Sequence, residues 1–309
     1  MRRPIPALAV LLLMIAALAP PRAARAEAPK VDPTPRIVVM SAFPPEMVQL
    51  RAATTDQHEM RVAGVRFVTG TLEGKPVVLV LSGMSMVNAA MTTQMATDHF
   101  KVRAIVFSGI AGGIDPGLAV GDVVAPDAWA EYLDGDFLRA GPDGRFAAPR
   151  GTLPAYGMLS PRPVIVVGQD GETRPMDWFP ADPGLLAVAR AMPKAELRRC
   201  ADDAAGAAHC LEAPPRLVIG GHGISGPVFM DNADYRSYAF ATFHAQVLDM
   251  ESAAVAHVAW VNATPFIAFR SLSDLAGGGA EDQVRVFMRL ASDNSATVVR
   301  GFLRALPER

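Results

Sequence analysis

Asp249-Met-Glu251-Ser-Ala-Ala-Val-Ala-His257, followed by Pro265-Phe-Ile-Ala-Phe-Arg270-Ser-Leu-Ser-Asp274, decides how this chain reads. The first run opens an apolar helix at Glu251, and the second is a short apolar strand with an acid at its end. Acids at a helix start and at the end of the next strand converge on the carboxyl edge of an open α/β sheet, where such sheets bind ligands. Each acid alone also fits a structural task, Glu251 complementing a helix dipole and Asp274 capping a turn.

Outward from this segment the alternation continues. Arg36-Ile-Val-Val-Met-Ser41 has the β-branched character of a buried strand. Residues 62–68 and 77–81 read as two more strands, with Glu73-Gly74 as the hairpin turn between them. Residues 84–100 turn helical, with Val87, Met91, Met95 and Phe100 spaced to share one face. Strands follow at 104–107, 121–125, 217–220 and up to Met250, and helices near 233–243 and from about 282 to 306. This order predicts a three-layer αβα sandwich around a central mixed sheet. Residues 127–216 carry no sustained period and read as an excursion from a single domain spanning 36–309.

The amino end reads differently. Arg2-Arg3, an apolar run over 7–19 and Ala24-Arg25-Ala26 form a signal-peptide pattern ending at residue 26, with a Pro-rich linker over 27–35. The run is too short to span a bilayer, which takes ~20 residues, so the mature chain is expected to be exported and free of the membrane. In that oxidising setting, Cys200 and Cys210 are expected to form a disulfide rather than a metal site. A formal net charge of −2, with Lys and Arg scattered, argues against nucleic-acid binding. The six histidines show no zinc spacing, and neither a metal nor a cofactor is expected.

Ser108-Gly-Ile-Ala-Gly112-Gly113 follows a strand directly, so its glycines let backbone N–H groups approach a ligand, although a tight turn needs the same residues. It matches neither the dinucleotide fingerprint nor a Walker loop. Ser82-Gly83-Met84 makes a similar strand-to-helix junction. Gly223-Ile-Ser225-Gly226-Pro227 departs from a nucleophile elbow at its last position. Glu46 follows Pro44-Pro45 and would sit in the first turn of a helix after strand one.

Taken in order, residues 37–50, Ser82-Gly-Met-Ser-Met-Val-Asn-Ala-Ala90, Ser108 to Gly113 with Val120-Gly-Asp-Val-Val124, and 248–274 resemble the 5′-methylthioadenosine/S-adenosylhomocysteine nucleosidases of the nucleoside phosphorylase superfamily. The resemblance covers most of the chain from Ile37 onward, apart from the excursion. It implies hydrolysis of the N-glycosidic bond of an adenine nucleoside, with an oxocarbenium-like transition state that needs an acid at the base and a base for water. Asp274 then resembles the residue that protonates adenine at N7, and Glu46 the one that activates water. Glu251 is similar to the acid that holds the ribose hydroxyls, with Met250 beside the sugar. Phe229 would stack on the base, and the Met230 backbone would read its edge. Gly112 would approach the ligand, with Ser82, Arg270 and Ser273 in support. The resemblance also implies a homodimer. Two alternatives remain open, a phosphate-dependent phosphorylase and a non-catalytic secreted storage protein; the loops at 41–46 and 107–113 lack the arginines that would bind phosphate.

Overall fold

A computed structural model describes residues 30–202, 206–277 and 279–307. The leader expected at 1–26 lies outside these residues. Strand β1 (Asp32–Ser41) begins inside the expected linker, which corrects the boundary at Pro35. The Val31 N–H donates to the His99 carbonyl at 2.8 Å, and Asp32 pairs in register with Phe100. The Asp32 carboxylate also accepts from Arg36 Nε at 2.5 Å within the same strand, and the pairing with His99 and Phe100 fixes a Pro-rich run as strand.

Pro44 and Pro45 open α1 (Pro44–Ala53), which buries Glu46, Met47 and Leu50. A meander follows, made of β2 (Thr55–Val62), β3 (Val65–Leu72) and β4 (Lys75–Leu81). The strand expected at 62–68 is therefore two strands, because Ala63 and Gly64 both take positive φ, 45° and 87°. Two-residue loops with positive φ at both positions match the right-handed twist of a hairpin, and Glu73-Gly74 forms the other one as expected.

In α2 (Met86–His99) the buried residues are Ala89, Thr92, Thr93 and Ala96, while Val87 and Met91 are 81% and 51% exposed. While Met95 and Phe100 pack against the core, the amino half of the apolar face expected on this helix, Val87 and Met91, thus points away from it. Small residues take its place because α2 packs against α5 (Ser252–Val261), whose buried face holds Ala253, Ala254, Ala256 and Ala259.

The long β5 (Phe100–Gly113) runs through the middle of the sheet. After β6 (Val123–Ala125) and β7 (Ala128–Glu131) come two hairpins, β8 (Gly135–Phe137) with β9 (Leu159–Pro161), and β10 (Val164–Val167) with β11 (Thr173–Met176). Next are β12 (Phe179–Pro180), α3 (Pro183–Ala191), and β13 (Cys200–Asp202) with β14 (Ala208–Cys210), a hairpin that the Cys200–Cys210 disulfide closes. The chain then forms β15 (Leu217–Ile219), β16 (His222–Ser225), α4 (Ala233–Phe243), β17 (Ala245–Asp249), α5, β18 (Phe266–Asp274) and α6 (Ala280–Ala305).

The mixed sheet runs β12-β7-β16-β17-β5-β1-β4-β3-β2, with β18 joined to β5 and β6, and β6 joined to β15. The stretch at 127–216 is thus not wholly an excursion, since β7 and β12 extend the sheet beyond β16. Helices α2 and α5 cover one face, where their alanines pack on Val38, Met40 and Phe107. On the other face α1, α3 and α6 pack on Val39, Val106 and Phe269. No helix of the described residues is long and apolar enough to cross a membrane.

Candidate active site

At the carboxyl ends of β5, β17 and β18 lies a cavity of about 270 Å³ lined by Glu46, Gly112, Phe229, Met230, Met250, Glu251, Ser273 and Asp274. Eight residues scattered over the sequence are thereby brought together. Parallel pairing of β18 with β5 sets Asp274 opposite Gly112, and a Cβ at Gly112 would stand 3.0 Å from Asp274 Oδ1. Glycine therefore lets this acid lie against the strand.

Asp274 Oδ1 accepts from the Ala276 N–H and Oδ2 from Ser273 Oγ, each at 2.8 Å. Burial outweighs these bonds and pushes its carboxyl up to about 6, within reach of a proton donor at neutral pH. Glu46, at the third position of α1, folds back to accept from the Ala42 N–H at 2.7 Å and the Phe43 N–H at 3.3 Å through Oε2. Its Oε1 accepts from the Ile110 N–H at 2.8 Å. Burial raises its pKa, against the pull of Arg270 and these N–H groups.

Glu251 stands just before α5, with Oε1 accepting from the Ser85 N–H at 2.7 Å. Ser85 has φ 76°, a conformation that L residues seldom adopt, which aims its N–H across the site. Burial pushes the Glu251 carboxyl up to about 7, with Asp249 and Glu46 adding to it and Arg270 opposing it.

Arg270 joins these acids. It is fully buried, with its guanidinium carbon 4.0 Å from the centre of the Phe107 ring. Nη1 lies 3.8 Å from Glu46 Oε1, Nη2 3.5 Å from Glu251 Oε2, and Nε 2.6 Å from Asp249 Oδ2. The guanidinium crosses β5 at Gly109, where a Cβ would meet Nη1 at 2.0 Å and Glu46 Oε1 at 2.6 Å.

A model described as the phosphorylase superfamily matches residues 36–304. A 5′-methylthioadenosine/S-adenosylhomocysteine nucleosidase of Marinomonas sp. (strain MWYL1) is 30% identical over 270 residues, covering 87% of this chain and 98% of that protein. The chain belongs to the nucleosidase family of the phosphorylase superfamily. A nucleosidase of the same description from Lysinibacillus sphaericus is 30% identical over 271 residues, covering 85% and 96% of the two chains. Among solved structures, the S. pneumoniae nucleosidase with the transition-state inhibitor MT-ImmA is 27% identical, at a TM-score of 0.66 over 88% of this chain and 100% of that one. The Neisseria meningitidis nucleosidase in complex with methylthio-immucillin-A is 25% identical at 0.66, over the same shares.

Two expectations for this family member change in the structure. Ser82 borders a neighbouring cavity rather than the site, and its Oγ donates to the Gly83 carbonyl at 2.7 Å. The support expected of it comes from Ser85, three residues on. Arg270 does more than brace the end of β18, since it reaches three carboxylates. Ser225, the serine of the elbow-like motif, is buried; its Oγ donates to Asp249 Oδ1 at 2.5 Å and accepts from the Ala253 N–H at 2.8 Å. Asp249, Ser85 and Gly109 are the site residues that sequence reasoning missed. For Gly109 the close-approach signal was present, but the group that approaches is a side chain of the protein itself.

Proposed function

We propose that this nucleosidase-family chain hydrolyses the N-glycosidic bond of adenine nucleosides of the methylthioadenosine and S-adenosylhomocysteine type, releasing adenine and a ribose derivative. The observation that carries this is the joint lining of one cavity by Asp274, Glu46 and Glu251. Adenine stacks on Phe229 beside Met230. Protonated Asp274 gives its proton to N7 as the bond from C1′ to N9 breaks, and the bonding electrons leave with the base. Glu251 holds the ribose hydroxyls. Glu46 takes a proton from the water that bonds to C1′, and its raised pKa makes it a stronger base. Met84, Val284 and Met288 give the cavity an apolar end suited to a thioether at the 5′ position.

Hydrolysis is favoured over phosphorolysis by what Glu46 occupies. The backbone N–H groups of Ala42, Phe43 and Ile110, which an anion would need, already donate to its carboxylate. A phosphate there would also face that negative charge. The test is adenine release from methylthioadenosine and S-adenosylhomocysteine by purified protein, followed by chromatography with and without phosphate. Release without phosphate is expected; release only with phosphate would make it a phosphorylase, and no release from a nucleoside panel would favour a storage role.

The chain is further read as a homodimer and as exported. Exposed Val87, Met91 and Met84 form an apolar face beside the neighbouring cavity, suited to a second copy. The leader pattern and the Cys200–Cys210 disulfide support an oxidising compartment.

A further inference from the structure

We propose that Asp249 is a positioning residue that keeps a proton on the Glu46 and Glu251 pair by competing with them for the charge of Arg270. The proposal rests on the reading above, in which those two glutamates face the substrate. Asp249 is the nearest of the three acids to the guanidinium, at 2.6 Å from Nε against 3.5 Å and 3.8 Å for the glutamates. It is also firmly anchored. Its Oδ1 accepts from Ser225 Oγ and from the N–H groups of Glu251 and Ser252, both at 3.0 Å, at the amino end of α5.

Its other oxygen receives no well-aimed hydrogen bond, because the Arg270 Nε–H is directed at Ser252 Oγ, 2.9 Å away. The contact between Asp249 Oδ2 and Arg270 is therefore one of charge. The charged and titratable groups facing Asp249 and Glu251 are Arg270 from β18, Glu46 from α1, and the Tyr132 phenol beyond β7. Burial, with Asp249 adding to it, raises the Tyr132 pKa, so this phenol stays neutral and adds no further negative charge.

Three ionised carboxylates around one guanidinium would leave two uncompensated negative charges in a buried volume, which is costly. With Asp249 bound closest to the cation, the glutamates lower that cost by sharing a proton. The shared proton lets Glu251 donate to a ribose hydroxyl while Glu46 remains the base.

The test is carboxyl NMR titration of protein carrying 13C-labelled glutamate, with the Glu251 resonance assigned through Glu251→Gln. In Asp249→Asn the Glu251 midpoint is expected to fall by about one pH unit or more, as for loss of a like charge within contact range. The same limb of the kcat/KM profile against pH should move with it. Asp249→Ser, which keeps a short oxygen at the start of α5, is the second charge-removing variant should the first not fold. Ser225→Ala removes one bond to Asp249 and keeps the charge, so it should lower Tm and leave the midpoint in place. A midpoint unmoved in the Asp249 variants, or moved equally by Ser225→Ala, would overturn the proposal. Absence of adenine release by the wild type would instead overturn the functional reading, and the NMR midpoint would still decide the role of Asp249.

Discussion

Replacing Asp274 with Asn separates the two consequences of burying a carboxyl at the end of β18. The chemical one is loss of the proton that, on the proposed mechanism, passes to the departing adenine, and it is expected to lower kcat by about 10²- to 10⁴-fold. The other is a change in stability whose sign depends on pH. The folded carboxyl titrates at about 6 against an ordinary 3.8, because burial penalises its charged form. At ~1.36 kcal/mol per pH unit, that gap corresponds to about 3 kcal/mol. Since the folded state binds the proton more tightly than the unfolded state, the native fold loses stability as pH rises from about 4 through about 6. Asn carries no charge to bury, keeps an acceptor for the Ala276 N–H, and can donate to Ser273 Oγ. The variant should therefore exceed wild type by about 1 kcal/mol at pH 4.5 and by about 3 kcal/mol at pH 8. Urea unfolding at both pH values measures this, and a scan of Tm should show a rise of roughly 2–4 °C per kcal/mol for a chain of this size. A variant no more stable at pH 8 than at pH 4.5, relative to wild type, would refute the burial reasoning. Near-normal turnover would refute the general-acid role.

Three further outcomes follow from other parts of the molecule. Gly109→Ala puts a methyl group 2.0 Å from Arg270 Nη1 and 2.6 Å from Glu46 Oε1, so kcat/KM should fall on the order of 100-fold; a kinetic profile like wild type would show that the site repacks freely. Val87→Asp combined with Met91→Glu, on the exposed residues of α2, should yield a monomer by light scattering, against the dimer proposed for the wild type. Reducing the Cys200–Cys210 bridge, whose cysteines are 10 apart in sequence, should cost about 2–3 kcal/mol in urea unfolding. Because neither cysteine lines the cavity, kcat/KM should not change on reduction.

The parts of this site legible in the sequence are those set by local order. Glu46, Glu251 and Asp274 each stand next to a strand end or a helix start, so alternation of strand and helix was enough to send them to one sheet edge. Gly112 was legible for the same reason, as part of a glycine run directly after strand residues. Arg270 was seen but its task was not, because its partners lie on β17, α1 and the start of α5, and their convergence is fixed only by strand order. Ser85 was hidden for a related reason, since its bond to Glu251 spans 166 positions of sequence. On α2 the shared face divides, Val87 and Met91 to solvent and Met95 to the core, because periodicity reports which residues align, not which side of a helix meets the sheet. There the close approach of α5 selected alanine and threonine over the larger methionines. The meander edge was blurred because Ala63, unlike glycine or asparagine, does not advertise a positive φ.

The way Glu46 is tied down also says which changes could redirect this enzyme. Its carboxylate acts as a built-in counter-anion, permanently seated on backbone donors that would otherwise be open to a dissolved one. Adding arginines to the neighbouring loops would not by itself recruit phosphate, because the seat is already taken. A route from water to phosphate as the attacking group must begin with a deletion at position 46, and that deletion removes the residue proposed here as the base. The two chemistries therefore cannot be blended by small steps, and a lineage passing between them must cross a form that performs neither well.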